Sequence, residues 1–255
     1  MTPEYNEGEA QYNSCHSFDL GFVHFVCLNS NQDYSMFDSE GGEVVDDWIK
    51  RECAWLDADL TKDEENPTTR WTVCYMHLSP FTCVRTDWVQ RFIPTFEKHR
   101  VHLVLCGHNH TYSRSIPLYT GYNGYPKADG YDPKGLKTAQ EETNLGHGTI
   151  NHEPDVNNGT YYIMCPSTGY KNTGKETIQN PFPWWYGFKG NHPNQPSYLM
   201  LDIGYDKIEL KSYKINGILV KDANNNSIVA DYGTQTKEMY DSYTINWRPK
   251  GQAKM

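Results

Sequence analysis

Three absences narrow what this chain can be. None of its seven cysteines forms a Cys-x-x-Cys pair, the spacing that zinc ribbons and thioredoxin-like redox motifs require. No apolar run approaches the length needed to cross a bilayer as a helix. There is no basic stripe: 32 acidic residues outnumber 23 basic ones and the formal net charge is -9. A nucleic-acid backbone is therefore not the expected partner. An anionic substrate would need positive charge from elsewhere, and a bound metal ion could supply it. Residues 1–7 are polar and acidic and lack the apolar centre of a secretory leader. That alone leaves secretion open, and the residues themselves give no localisation.

What is present suits a folded chain. Its 255 residues can bury one large core or two modest ones. A hydrophobic content of 37%, with 19 tyrosines, argues against wholesale disorder. Cys27, Cys74, Cys106 and Cys165 lie in apolar, strand-like runs, and Cys15, Cys53 and Cys83 complete the set. Buried free thiols are expected rather than zinc ligands, and the odd count excludes complete pairing within the chain.

Periodicity organises the rest. Residues 22–28, 71–76 and 101–106 read as buried strands. Between the first two, Val45, Trp48, Ile49, Leu56 and Leu60 recur at helical spacing behind an acidic first turn. A second helix is expected over 86–96, interrupted by Pro94. Strand, helix, strand, helix, strand implies an α/β fold with right-handed crossovers and at least partly parallel pairing. Residues 1–17 read as a polar loop, and 115–195 as a loop-rich insertion in which strand character resumes at 159–164. The aromatic loop 181–188 carries Trp184-Trp185-Tyr186, read as core or lid packing before pocket lining. Residues 197–203 and 207–213 are expected to form an antiparallel pair, with further strands to Ile245 and a polar tail over 248–255.

The chemistry concentrates in histidines. His77 follows one buried run, and His108 and His110 follow another inside Gly107-His108-Asn109-His110-Thr111-Tyr112-Ser113-Arg114. Neutral imidazole is the commonest metal ligand, and open α/β sheets build their sites at the carboxyl ends of strands. In an extended segment residues i and i+2 face the same side, so His108 and His110 can share one site. His24 and His102 sit within strands and are expected to pack; His16, His99, His147, His152 and His192 carry no positional signal. Asn158 and Asn225 match the glycosylation pattern, which matters only in a secreted chain. One reading is a mononuclear zinc hydrolase using His77, His108 and His110 with a water in the fourth position.

Several stretches, in order, resemble the calcineurin-like metallophosphoesterases, and within them the purple acid phosphatase-like branch. Cys74-Tyr75-Met76-His77 resembles the family's V-x-x-H motif, and Gly107 to Arg114 resembles G-H-x-H-x-Y-x-R. Residues 12–29, 52–60, 92–99, 197–213 and 241–245 resemble its intervening strands and helices. The resemblance implies a two-sheet sandwich flanked by helices over 1–247, and hydrolysis of small phosphate monoesters. It implies two divalent or trivalent ions, of iron, zinc or manganese, with His77 and His108 on one and His110 on the other. Tyr112 and Arg114 would lie beside the ligands or the substrate. The family's setting is extracellular or at the cell surface.

The family's carboxylate motifs, D-x-G, G-D-x-x-Y and G-N-H-E/D, should come before all of this. Asp19-Leu20-Gly21, Asp33-Tyr34 and Gly190-Asn191-His192 are refused as substitutes on position and spacing. The resemblance thus predicts a domain incomplete at its N-terminus, with a missing N-terminal half or self-association covering an exposed sheet edge. The other reading of the incomplete ligand set is a non-enzymatic remnant or interaction module.

Overall fold

A computed structural model of the chain describes residues 14–31, 43–80, 89–108, 112–115, 117, 159–166, 185–187, 196–216, 219–221, 224, 227–229 and 236–247. The expected α/β two-sheet architecture is what these residues form. The larger sheet contains β1 (His16–Leu20), β2 (Val23–Cys27), β3 (Trp71–Tyr75), β4 (Leu103–Cys106), β5 (Ser113–Ser115), β6 (Tyr161–Met164) and β7 (Trp185–Gly187). Its order is β1-β2-β3-β4-β6-β5-β7. Strands β2, β3, β4 and β6 are mutually parallel, while β1, β5 and β7 pair antiparallel. The smaller sheet, of order β12-β9-β8, comprises β8 (Ser197–Ile203), β9 (Lys207–Asn216) and β12 (Thr236–Asn246). A separate two-stranded ribbon joins β10 (Leu219–Lys221) to β11 (Ser227–Val229).

The parallel strands read as continuous apolar runs because both their faces are covered. Val26, Cys74, Val104, Cys106, Tyr162 and Met164 face the helices α1 (Glu43–Glu64) and α2 (Ile93–Lys98). The alternate residues Val23, Val73, Leu103 and Ile163 face the smaller sheet, where Ile208, Leu210, Tyr243 and Ile245 meet them. From α1 the fully buried Trp48, Ile49, Leu56 and Leu60 fill the helix-side core. Each such burial stabilises by about 1.5–3 kcal/mol. Pro94 stands at the start of α2, with a 3-10 turn, Val89–Phe92, just before it. A proline is tolerated there because the first turn of a helix has no use for its missing N–H.

Three expectations are corrected. His16 and Ser17, read as loop, open β1, which is closed onto β2 by a two-residue turn in which Gly21 takes φ +62. Only the first turn position has positive φ, so this is a II′ hairpin, which suits glycine there. Ser115, read as the start of the insertion, belongs to strand β5, and Trp185–Gly187, read as aromatic loop, is strand β7; the two short strands pair with each other. Edge strand β1 leaves Phe18 and Leu20 46% and 67% exposed.

The two sheets are clamped at one end by Arg70. Its Nε donates to the Tyr205 carbonyl at 2.7 Å, Nη2 donates to Asp206 Oδ1 at 2.8 Å, and the guanidinium lies over the Tyr205 and Trp247 rings. Trp71 Nε1 donates to the Gly204 carbonyl at 2.8 Å, and Trp247 Nε1 donates to the Arg70 carbonyl at 3.1 Å.

Candidate metal centre

The backbone brings His77 and His108 together. Past the ends of β3 and β4 the ladder continues: Met76 N donates to the Leu105 carbonyl at 3.0 Å, and Gly107 N donates to the His77 carbonyl at 2.8 Å. The loop after His77 is pinned by Leu78 N donating to Ser30 Oγ at 2.7 Å. Further along, Gln90 Nε2 donates to the Pro80 carbonyl at 2.8 Å. Both imidazoles reach the exposed carboxyl-end surface, with His108 Nδ1 3.2 Å from His77 Nε2 and the rings at 89°.

Gly107 leaves the His77 ring its place, since a Cβ would push the ring aside by a few tenths of an ångström. A Cβ there would stand 3.3 Å from His77 Nδ1. The sharp turn expected at this glycine falls instead on His108, whose φ is +77. A non-glycine residue in that region is strained, and strain of this kind gathers at functional sites.

The donor pair suits one metal ion. Two metal–nitrogen bonds of about 2.1 Å that span 3.2 Å subtend about 100°, between octahedral and tetrahedral values. Among the described residues no carboxylate or thiol joins the two imidazoles in a group of three ligands. His110 lies outside the described residues, as do Asp33, Tyr34, Gly190, Asn191, Cys83, Asn158, Asn225, Trp184, His147, His152 and His192.

Tyr112 and Arg114 are buried and turned toward the smaller sheet. Tyr112 Oη donates to Asp241 Oδ2 at 2.6 Å, Arg114 Nε donates to the same oxygen at 2.9 Å, and the guanidinium lies 4.0 Å from the Tyr243 ring centre. Arg114 finds its carboxylate inside the fold, and Asp241 ties both side chains to the smaller sheet.

Of the other described histidines, His24, His99 and His102 are buried and His16 is exposed. His102 Nδ1 accepts from Thr72 N at 3.1 Å beneath the Trp71 ring. His99 bridges Glu64 and Asp57 at 2.9 and 2.7 Å. The described cysteines are free thiols; Cys15, Cys53, Cys74 and Cys106 are buried.

One grouping escaped the sequence reading. Glu52, Asp59 and Asp63, at helical spacing on α1, are buried beneath the β1–β2 hairpin. His24 meets them there, with Asp59 at its Nε2 and Asp63, together with Asp19 of β1, at its Nδ1. The 52/59/63 spacing was the available signal; a search for apolar periodicity passes over it. Asp19 sits at the amino end of β2, opposite the end that carries His77 and His108, so its D-x-G spelling does not bring it to that pair.

Glu52 has a raised pKa. Burial pushes its carboxyl up to about 7, against the lowering effects of the neighbouring Cys15 thiol and the Trp48 indole. Trp48 Nε1 donates to Glu52 Oε1 at 2.7 Å.

No family model matches the chain. Purple acid phosphatase 23 of Arabidopsis thaliana is 30% identical over 124 residues, which is 45% of this chain and 23% of that protein. An uncharacterized protein of Mycobacterium tuberculosis (strain ATCC 25618 / H37Rv) is 29% identical over 113 residues, 40% of this chain and 20% of that one. The matches thus span roughly a fifth of these relatives' length. The purple acid phosphatase PPD1 from yellow lupin (Lupinus luteus) seeds superposes with a TM-score of 0.45 at 15% identity, over 95% of this chain and 34% of that one. Part of the chain is similar in sequence to a purple acid phosphatase.

Proposed function

We propose that this chain carries part of the metal centre of a phosphoesterase that hydrolyses small phosphate monoesters. The observation that carries the reading is the juxtaposition of His77 Nε2 and His108 Nδ1, 3.2 Å apart at the ends of neighbouring parallel strands. Sequence likeness to purple acid phosphatase 23 over 45% of the chain supports it. His77 and His108 would hold one ion of iron, zinc or manganese, and His110 is proposed as a ligand of a second. Such ions polarise a phosphoryl oxygen and make hydroxide available near neutral pH.

The chain's own residues prepare the place. Gly107 leaves room for the His77 ring, Ser30 fixes the backbone beside it, and the exposed imidazoles face solvent from which a substrate can arrive. In this proposal Tyr112 and Arg114 are structural, held to the smaller sheet through Asp241. Two imidazoles do not complete a hydrolytic centre, so further ligands must come from outside the described residues.

The test pairs metal content by elemental analysis with turnover of a chromogenic phosphomonoester, in the wild type and in His77→Ala and His108→Ala. Metal-dependent turnover that disappears in both variants supports the reading. Turnover that survives both, or metal-loaded wild type without turnover, overturns it for this chain.

A further inference from the structure

We propose that Asp19, His24 and Asp63 form a second binding site, for a divalent ion such as zinc or manganese, that fastens the β1–β2 hairpin to the last turn of α1. The inference does not rest on the phosphoesterase reading. His24 faces Asp19 across the hairpin and Thr72 across the parallel pair with β3. Its Nε2 lies 2.9 Å from Asp59 Oδ2, and Ser17 Oγ donates to the other Asp59 oxygen at 2.7 Å. A carboxylate that accepts a hydrogen bond from Nε2–H fixes the tautomer and leaves Nδ1 as the nitrogen to bind a metal, the arrangement that commonly supports metal-ligating histidines.

That Nδ1 faces two more carboxylates. Asp19 Oδ1 is 2.6 Å away and Asp63 Oδ1 3.9 Å. The three ligand atoms lie within 4.8 Å of one another, and Asp63 is oriented by Thr72 Oγ1, which donates to its second oxygen at 3.2 Å. Ligand atoms on a zinc ion stand about 3.2–3.4 Å apart. Asp19 must therefore swing outward by about 0.7 Å, which its half-exposed side chain allows, and Asp63 must close in by about 0.6 Å.

Charge points the same way. Three carboxylates surround one imidazole, two of them on buried residues, and Lys62 also lines the site. A divalent ion beside the neutral ring would offset the negative charge of these carboxylates. A cavity of about 200 Å³ opens beside the ligands, with Asn66 in its wall, and has room for waters to complete the coordination. One nitrogen with two carboxylate oxygens favours zinc or manganese over magnesium or calcium.

The experiment removes the other histidines first. His77→Ala/His108→Ala/His110→Ala protein is stripped with chelator, dialysed against zinc, and its metal content and thermal midpoint are measured. One equivalent of zinc, with a raised midpoint, is expected. Adding Asp63→Asn or Asp19→Asn should weaken zinc binding about 100-fold or more and abolish the shift. Asp19 lies at the surface, so Asp19→Asn should keep the far-UV circular dichroism of its parent and serves as the variant that folds. No zinc bound by the triple variant, or equal binding with and without Asp19→Asn and Asp63→Asn, overturns the proposal.

Discussion

Replacing Asp241 by alanine should destabilise the protein by about 3–5 kcal/mol, because it strands the buried charge of Arg114. The magnitude follows from burial on both sides: the Arg114 and Asp241 side chains are 6% and 9% exposed, so water screens the pair little. The same carboxylate oxygen accepts the Tyr112 hydroxyl at 2.6 Å. A hydrogen bond to a charged acceptor contributes about 1.5–3 kcal/mol, so Tyr112→Phe should cost that amount. Asp241→Asn keeps an acceptor for Tyr112 but loses the charge, and should fall between wild type and Asp241→Ala. Equilibrium urea unfolding of the four proteins of a Tyr112→Phe, Asp241→Ala cycle gives the coupling directly. The double variant should be more stable than the sum of the single losses by at least about 1 kcal/mol. An Asp241→Ala cost below about 1 kcal/mol, or strict additivity, would refute the argument that this carboxylate joins the sheets.

Three further outcomes are expected. Gly107→Ala should weaken metal binding by His77 and His108 about tenfold by displacing the His77 ring, read by cobalt titration; an unchanged affinity would mean the close approach is immaterial. His108→Gly should be more stable than His108→Ala by about 1 kcal/mol in urea, because glycine relieves the strain at φ +77. Glu52 has a folded pKa of about 7, above its ordinary 4.5, so the folded state holds a proton that the unfolded state has released between those values. Stability should fall as pH rises across that window, by up to about 3 kcal/mol, and Glu52→Gln should flatten the dependence in denaturation measured from pH 4.5 to 8.

Strands β2, β3 and β4 were legible in the sequence because a parallel strand covered on both faces must be apolar throughout, and β8 and β9 because half-buried strands alternate. Strand β1 was not, since His16, Phe18, Asp19 and Leu20 all remain exposed at a sheet edge and leave no apolar pattern. Strand β5 is Ser113-Arg114-Ser115, three polar residues that are nevertheless buried. Arg114 meets Asp241, 127 residues further along, and Ser115 accepts from Tyr162 N, so no local window contains their partners. The pairing of His77 with His108 was readable because each follows a strand end. The meeting of Asp19 and His24 with Asp63 was not, because it depends on where the last turn of α1 lies over the hairpin.

The clamp at Arg70 has a consequence for the order in which this chain acquires its structure. Its partners Asp206 and Trp247 lie 136 and 177 residues further along. The inter-sheet core likewise waits for Ile208, Leu210, Tyr243 and Ile245. During synthesis the parallel strands and α1 emerge long before the residues that cover their second face. For that interval Trp71, Val73 and Leu103 must stay in water or be shielded by a chaperone. Contacts of such long sequence separation also slow folding, since loop closure precedes the gain from burial. A ribosome stalled before residue 240 should therefore display a nascent chain that is protease-sensitive and chaperone-bound, and release of the last strand should end both conditions together.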